Sequence, residues 1–98
     1  VVDNQGNTPL LLAVEGGDWG VIRALVQGGA DVDRRSKSGQ TALHRCAILG
    51  HADATRELLR GRANALLTTP VEAGRPTVAL GIAATFGHAA VVRELLQN

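Results

Sequence analysis

Residues 39–59, GQTALHRCAILGHADATRELL, decide the fold. Thr41 can offer a side-chain oxygen to the free N–H groups of a helix start, and a run of small and apolar residues follows it. The spacing predicts a helix from Ala42 to about Leu49, ending at Gly50. Gly50 and His51 make a tight reversal, after which Ala54, Leu58 and Leu59 recur at helical spacing as the buried face of a second helix. Two short helices cannot bury both faces of such a hairpin alone, so the unit needs neighbours of its own shape.

Those neighbours are in the chain. Gly6, Thr8, Leu10, Gly17 and Leu25 recur 33 residues later as Gly39, Thr41, Leu43, Gly50 and Leu58. Five coincidences in register make a repeat rather than an accident. In the first unit Pro9 follows Thr8, where a first-turn proline loses no hydrogen bond that the helix would have made. Gly16 and Gly17 break that helix, and Asp18 can cap the next. Val21, Ile22, Leu25 and Val26 are expected as its buried stripe, with Gly28 and Gly29 for the exit. In the third unit Gly87 and His88 repeat Gly50 and His51 at an offset of 37, so four residues are extra. They fall between Leu66 and Thr77, where Thr68, Thr69, Pro70, Gly74, Arg75 and Pro76 read as a turn or loop.

The 33-residue period, Thr8-Pro9-Leu10, Thr41-Ala42-Leu43-His44, Gly29-Ala30-Asp31-Val32, the Gly-His pairs at 50 and 87 and the Leu-Leu pairs at 58 and 95 together resemble the ankyrin repeat. The likeness covers essentially the whole chain. It implies an all-α solenoid of stacked helix-turn-helix units joined by β-hairpin-like loops, with units at 1–33, 34–66 and 67–98. It also implies a non-catalytic protein-interaction module, whose concave face receives the partner; the alternative reading is a structural spacer within a longer array or a regulatory part of a larger protein. Leu11 and Gly81 depart from the family where it prefers the histidine seen at 44, and Val78 replaces the capping Thr. In the central second helix Ala54 and Thr55 replace the Val21-Ile22 and Val91-Val92 of its neighbours, a loss on the order of 1–3 kcal/mol of burial. The central unit is therefore expected to lean on both flanks. Neither end carries a polar capping unit, and a longer array is expected.

Composition narrows the chemistry. With 98 residues the chain is one domain, and with one Trp and one Phe its core must be built from small aliphatic side chains. No apolar run approaches the roughly 18 residues of a membrane span, and no leader is visible, so a soluble, cytoplasmic or nuclear protein is expected. The single cysteine, Cys46, forbids an internal disulfide and fits a reducing compartment. Charge is unevenly spread: residues 1–33 carry five carboxylates against one arginine, residues 34–66 seven basic groups against two carboxylates, and the remainder balances.

Few residues invite catalysis. Cys46 and His44 are two apart on a helix and face different ways, and Cys46 stands where Ala13 and Ala83 stand in the other units, as a buried thiol. His44, His51 and His88 lack metal-ligand spacing; the family resemblance assigns them structural places. The glycine-rich Gly16–Gly20 stretch follows a helix and lacks a phosphate-binding lysine. No enzyme activity, cofactor or metal is expected, and a small-molecule ligand is disfavoured. The surface signals are two. Arg34, Arg35 and Lys37 sit at the tip of the hairpin entering the second unit, suited to an acidic protein partner and less to nucleic acid, for want of an aromatic platform. Glu15, Ile48, Leu49 and Phe86 end the first helices, and Ile48, Leu49 and Phe86 become neighbours if the units stack in register, an apolar patch that marks an interaction site. With Gln40 these residues form the expected partner-binding set. Trp19 is expected to pack against a missing or neighbouring repeat.

Overall fold

The computed structural model describes residues 6–69 and 76–97, which hold six helices and, among the described residues, no strand. They are α1 (Pro9–Gly16), α2 (Trp19–Gln27), α3 (Ala42–Leu49), α4 (Ala52–Arg60), α5 (Ala79–Thr85) and α6 (Ala89–Leu96). The helices pack as pairs, α1 on α2, α3 on α4 and α5 on α6. Between pairs, α1, α3 and α5 form one layer and α2, α4 and α6 another.

Local chemistry sets the helix ends. Thr8 Oγ1 accepts the Leu11 N–H at 3.2 Å and Asp18 Oδ1 accepts the Val21 N–H at 3.2 Å, each satisfying a donor the helix leaves free. At α3 the cap is reciprocal: Thr41 Oγ1 accepts from His44 N–H, and His44 Nδ1 accepts from Thr41 N–H. No side chain caps α5, whose preceding residue is Val78. The missing histidine at Gly81 belongs to the same change, because the hydroxyl of Thr77 stands where a Cβ on residue 81 would lie.

The core is a seam of small aliphatics between the layers, with Val14, Ile22, Cys46, Ala47, Leu58 and Ala83 all at 0% exposure. One expectation about it fails. Val21 is exposed, at 45%, while Ile22 beside it is fully buried, and Leu25 and Val26 are half-buried. The positions matching Val21 are Ala54 and Val91, both buried, so this place looks toward the preceding pair; α2 has no earlier helix among the described residues. The place of Ile22 and Thr55 looks toward the following pair, and in the last pair Val92 is only half-buried there.

The central pair leans on both neighbours. Arg35 Nη1 donates to Thr68 O at 2.8 Å, His44 pairs with Leu67 O at 2.8 Å, and Asn64 N–H donates to Asp33 Oδ1 at 2.8 Å. Arg45 meets Glu15 of α1, and Arg56 meets Glu94 of α6. Thr55, the polar residue in the α4 stripe, is fully buried and donates its hydroxyl proton to His51 O at 2.8 Å. Ser36 N–H to Gln40 O (3.0 Å) and Gly39 N–H to Ser36 O (2.9 Å) tighten the turn before α3. Thr69 N–H to Thr77 O (2.9 Å) closes the neck of the longer connection to α5. The stretch expected to hold the four extra residues, 66–77, includes 70–75, which lie outside the described residues.

Candidate interaction surface

The surface is built on the first-helix layer, from the loop side chains before each helix to the residues that end it. Arg34, Arg35 and Lys37 are all exposed on the connection between α2 and α3, and Gln40 is half-buried at its end. Arg35 spends Nη1 on two carbonyls, Gly39 O at 2.6 Å and Thr68 O at 2.8 Å, so it ties one loop to the next. Lys37 lies against Gly6, where its backbone nitrogen would be 3.0 Å from a Cβ on that glycine. The loops are therefore aligned side by side.

At the far end of the layer, Ile48 is half-buried, Leu49 is 40% exposed and Phe86 57% exposed. His88 joins them. Its ring stacks on Phe86 with centroids 6.3 Å apart, and its Nε2 lies 3.0 Å from Ile48 O. The ring also covers Gly50, as the ring of His51 covers Gly17, so each Gly-His pair has its histidine on the glycine of the pair before.

Arg45 was legible only as part of a charge total, yet it fixes Glu15. Its side chain is 9% exposed; Nη1 is 3.2 Å from Glu15 Oε1 and Nη2 donates to Asn7 Oδ1 at 2.5 Å. Its Nε is buried without an acceptor among the described residues. A buried guanidinium is retained when it is paired and hydrogen-bonded, and removing its partner leaves a costly charge behind. Glu15 therefore faces this row already committed to a cation.

His44 and Cys46 are occupied or closed off. His44 uses both ring nitrogens, Nδ1 accepting from Thr41 N–H at 3.1 Å and Nε2 donating to Leu67 O at 2.8 Å, and burial pushes its pKa below 6.5. Burial pushes the Cys46 thiol up to about 12, against a smaller opposing effect from Thr55. The native thiol is thus expected to react with a thiol reagent at pH 7–8 at least a hundredfold more slowly than in denaturant; comparable rates would show that α3 opens readily.

Residues 1–69 match a family model described as ankyrin repeats (3 copies). The chain belongs to the ankyrin-repeat family. Ankyrin repeats are non-catalytic protein-interaction modules, and the six helices are their all-α solenoid. Among its relatives, a transient receptor potential cation channel subfamily A member 1 homolog of Caenorhabditis elegans is 36% identical over 98 residues, covering 100% of this chain and 8% of the relative. An E3 ubiquitin-protein ligase of Arabidopsis thaliana is 38% identical over 92 residues, 94% of this chain and 17% of the relative. The human SH3 and multiple ankyrin repeat domains protein 1 is 46% identical over 57 residues, 57% of this chain and 3% of the relative. This ankyrin chain thus spans a small part of each of these relatives, and what the three share with it is the repeat rather than an activity. Among its described residues no helix is long and apolar enough to cross a membrane.

Proposed function

We propose that the chain captures a segment of a protein partner along the first-helix row, on the concave side of the solenoid. The observation that carries this reading is the exposure of two large apolar side chains at the ends of adjacent first helices, Leu49 and Phe86, the latter stacked on His88. Ile48, Leu49 and Phe86 anchor the apolar part of the segment. Arg34, Lys37 and Gln40 orient its acidic part, with Arg35 and Glu15 contributing the charge their existing contacts leave outward. Binding is to a pre-formed surface, so little ordering energy is spent on the ankyrin side.

The division into units at residues 1–33, 34–66 and 67–98 is part of this proposal, as is an intracellular setting, which the buried free thiol of Cys46 supports. Nucleic acid is the weaker reading for the basic tip, because Arg35 already donates Nη1 to two carbonyls.

The test uses a partner isolated on the immobilised chain and then purified. Leu49→Ser combined with Phe86→Ser removes two exposed side chains whose full burial is each worth about 1.5–3 kcal/mol. Affinity for that partner is expected to fall about a hundredfold or more, with the helical circular dichroism retained. Undiminished affinity would remove the row as the binding site.

A further inference from the structure

The first two helix pairs are joined differently from the second and third. Arg56 on α4 reaches Glu94 on α6 with two hydrogen bonds, from Nε at 3.2 Å and Nη2 at 3.0 Å. The residue 33 positions before Arg56 is Arg23 on α2, and the residue 37 positions before Glu94 is Glu57 on α4. That equivalent pair is not made. Glu57 instead takes Arg60 at 3.2 Å, and Arg23 has no carboxylate within ion-pair distance among the described residues.

A second departure from the repeat lies one turn away. Trp19 stands at the position that Ala52 and Ala89 occupy in the other pairs, and it is 48% exposed. Among the described residues its ring is therefore covered only in part. Trp19 and Arg23 line one cleft of about 280 Å³ between α2 and α4, walled otherwise by Asp53, Arg56, Glu57 and Arg60. Only second-helix residues form it, so it is separate from the first-helix row.

The wall chemistry selects a ligand. Asp53 lies 3.7 Å from Arg56, and Glu57 lies 3.2 Å from Arg60, so each carboxylate has its arginine and the arginine left over is Arg23. A guanidinium fork is matched by a carboxylate, and the face of an exposed indole by a flat or apolar side chain. Four residues of helix separate Trp19 and Arg23 by about 6 Å. Two residues of extended peptide span about 6.5–7 Å. The carboxylates of Asp53 and Glu57 disfavour a polyanion, which separates a peptide with one well-placed acid from a nucleic-acid backbone.

We propose that this second-helix cleft binds an extended, acidic segment of a protein partner, with a carboxylate on Arg23 and an aromatic or apolar side chain two residues away against Trp19.

Trp19 is the chain's one tryptophan, so its emission reports on the cleft directly. The probe is a peptide library in a randomised frame with a fixed Glu-x-Phe or Phe-x-Glu core, together with the same library carrying Gln for Glu. A saturable change in Trp19 emission is expected with the Glu libraries, at least tenfold weaker with the Gln libraries. Arg23→Gln, at an exposed position, should reduce affinity for the Glu peptides to that for their Gln counterparts. Trp19→Ala, which restores the residue of the other two pairs, should abolish binding of labelled peptides measured by anisotropy. The Leu49→Ser, Phe86→Ser variant should bind as the parent does, which keeps this site independent of the first-helix row. Equal binding of Glu and Gln peptides, indifference to Arg23→Gln, absence of saturation by every library, or displacement by a single-stranded oligonucleotide in preference to peptide would each overturn the proposal.

Discussion

Gly50→Ala is expected to destabilise the chain by about 2–4 kcal/mol, a large share of the roughly 5–15 kcal/mol available to a domain of this size. Two costs add. Gly50 ends α3 at φ +81°, a left-handed conformation that costs an L-residue about 1–2 kcal/mol. Its new Cβ would also stand 2.7 Å from His88 Nδ1 and 2.8 Å from Cε1. The ring cannot swing away freely, because Nε2 is bonded to Ile48 O and the face is stacked on Phe86. Gly87→Ala is the control, with φ +73° and no atom within 4 Å of the added carbon, so it should show the backbone cost alone. Urea unfolding of both variants separates the two effects, and His88→Ala in the Gly50→Ala background should recover part of the difference. Equal costs at Gly50 and Gly87 would mean that the His88 ring gives way without loss.

His44→Ala is expected to cost a comparable 2–4 kcal/mol, by removing two ring hydrogen bonds at a side chain that is 1% exposed. The same residue makes stability depend on pH. Its two bonds select the neutral ring with the proton on Nε2, since Nδ1 must accept from Thr41 N–H. Burial lowers its pKa first, nearby Arg35 adds to this, and the Leu67 carbonyl opposes both. In the unfolded chain the ring takes up a proton near its ordinary value of 6.5; in the folded chain it does so only at lower pH. The unfolded state therefore binds more protons in that interval, and stability is lost as pH falls through it. The urea midpoint of the parent should drop between about pH 7.5 and about pH 5.5, more than that of His44→Ala measured alongside. Identical slopes would assign the pH dependence to other groups.

At α1, α2 and α3 the residues that start the helix were readable one by one, as were the glycines that end α1 and α3. Thr8, Asp18 and Thr41 supply an oxygen to an N–H three residues on, and Gly17 and Gly50 adopt positive φ, so both requirements are met within one turn of chain. The apolar ends of the first helices were also readable, because Leu49 and Phe86 keep the same place in each pair and remain exposed there. Arg45 was not, since nothing near it in sequence shows that Glu15 and Asn7 will close on it from α1 and the loop before it. Nor was Trp19, whose exposure depends on how α4 lies along α2.

The sequence by itself pointed to the six helices, their pairing and the order in which they stack, because the first two units repeat at 33 residues, the third follows at 37, and glycines separate the two helices of each unit. Only the tertiary structure decided which side of each helix is covered and which charges pair. Neighbouring positions on a helix point about 100° apart. Val21 is thereby left open while Ile22 is sealed. Arg56 meets a carboxylate while its counterpart Arg23 does not, because Glu57 has a nearer arginine on its own helix. Repetition in the chain fixes equivalent places, and the neighbours of each place then decide what it holds.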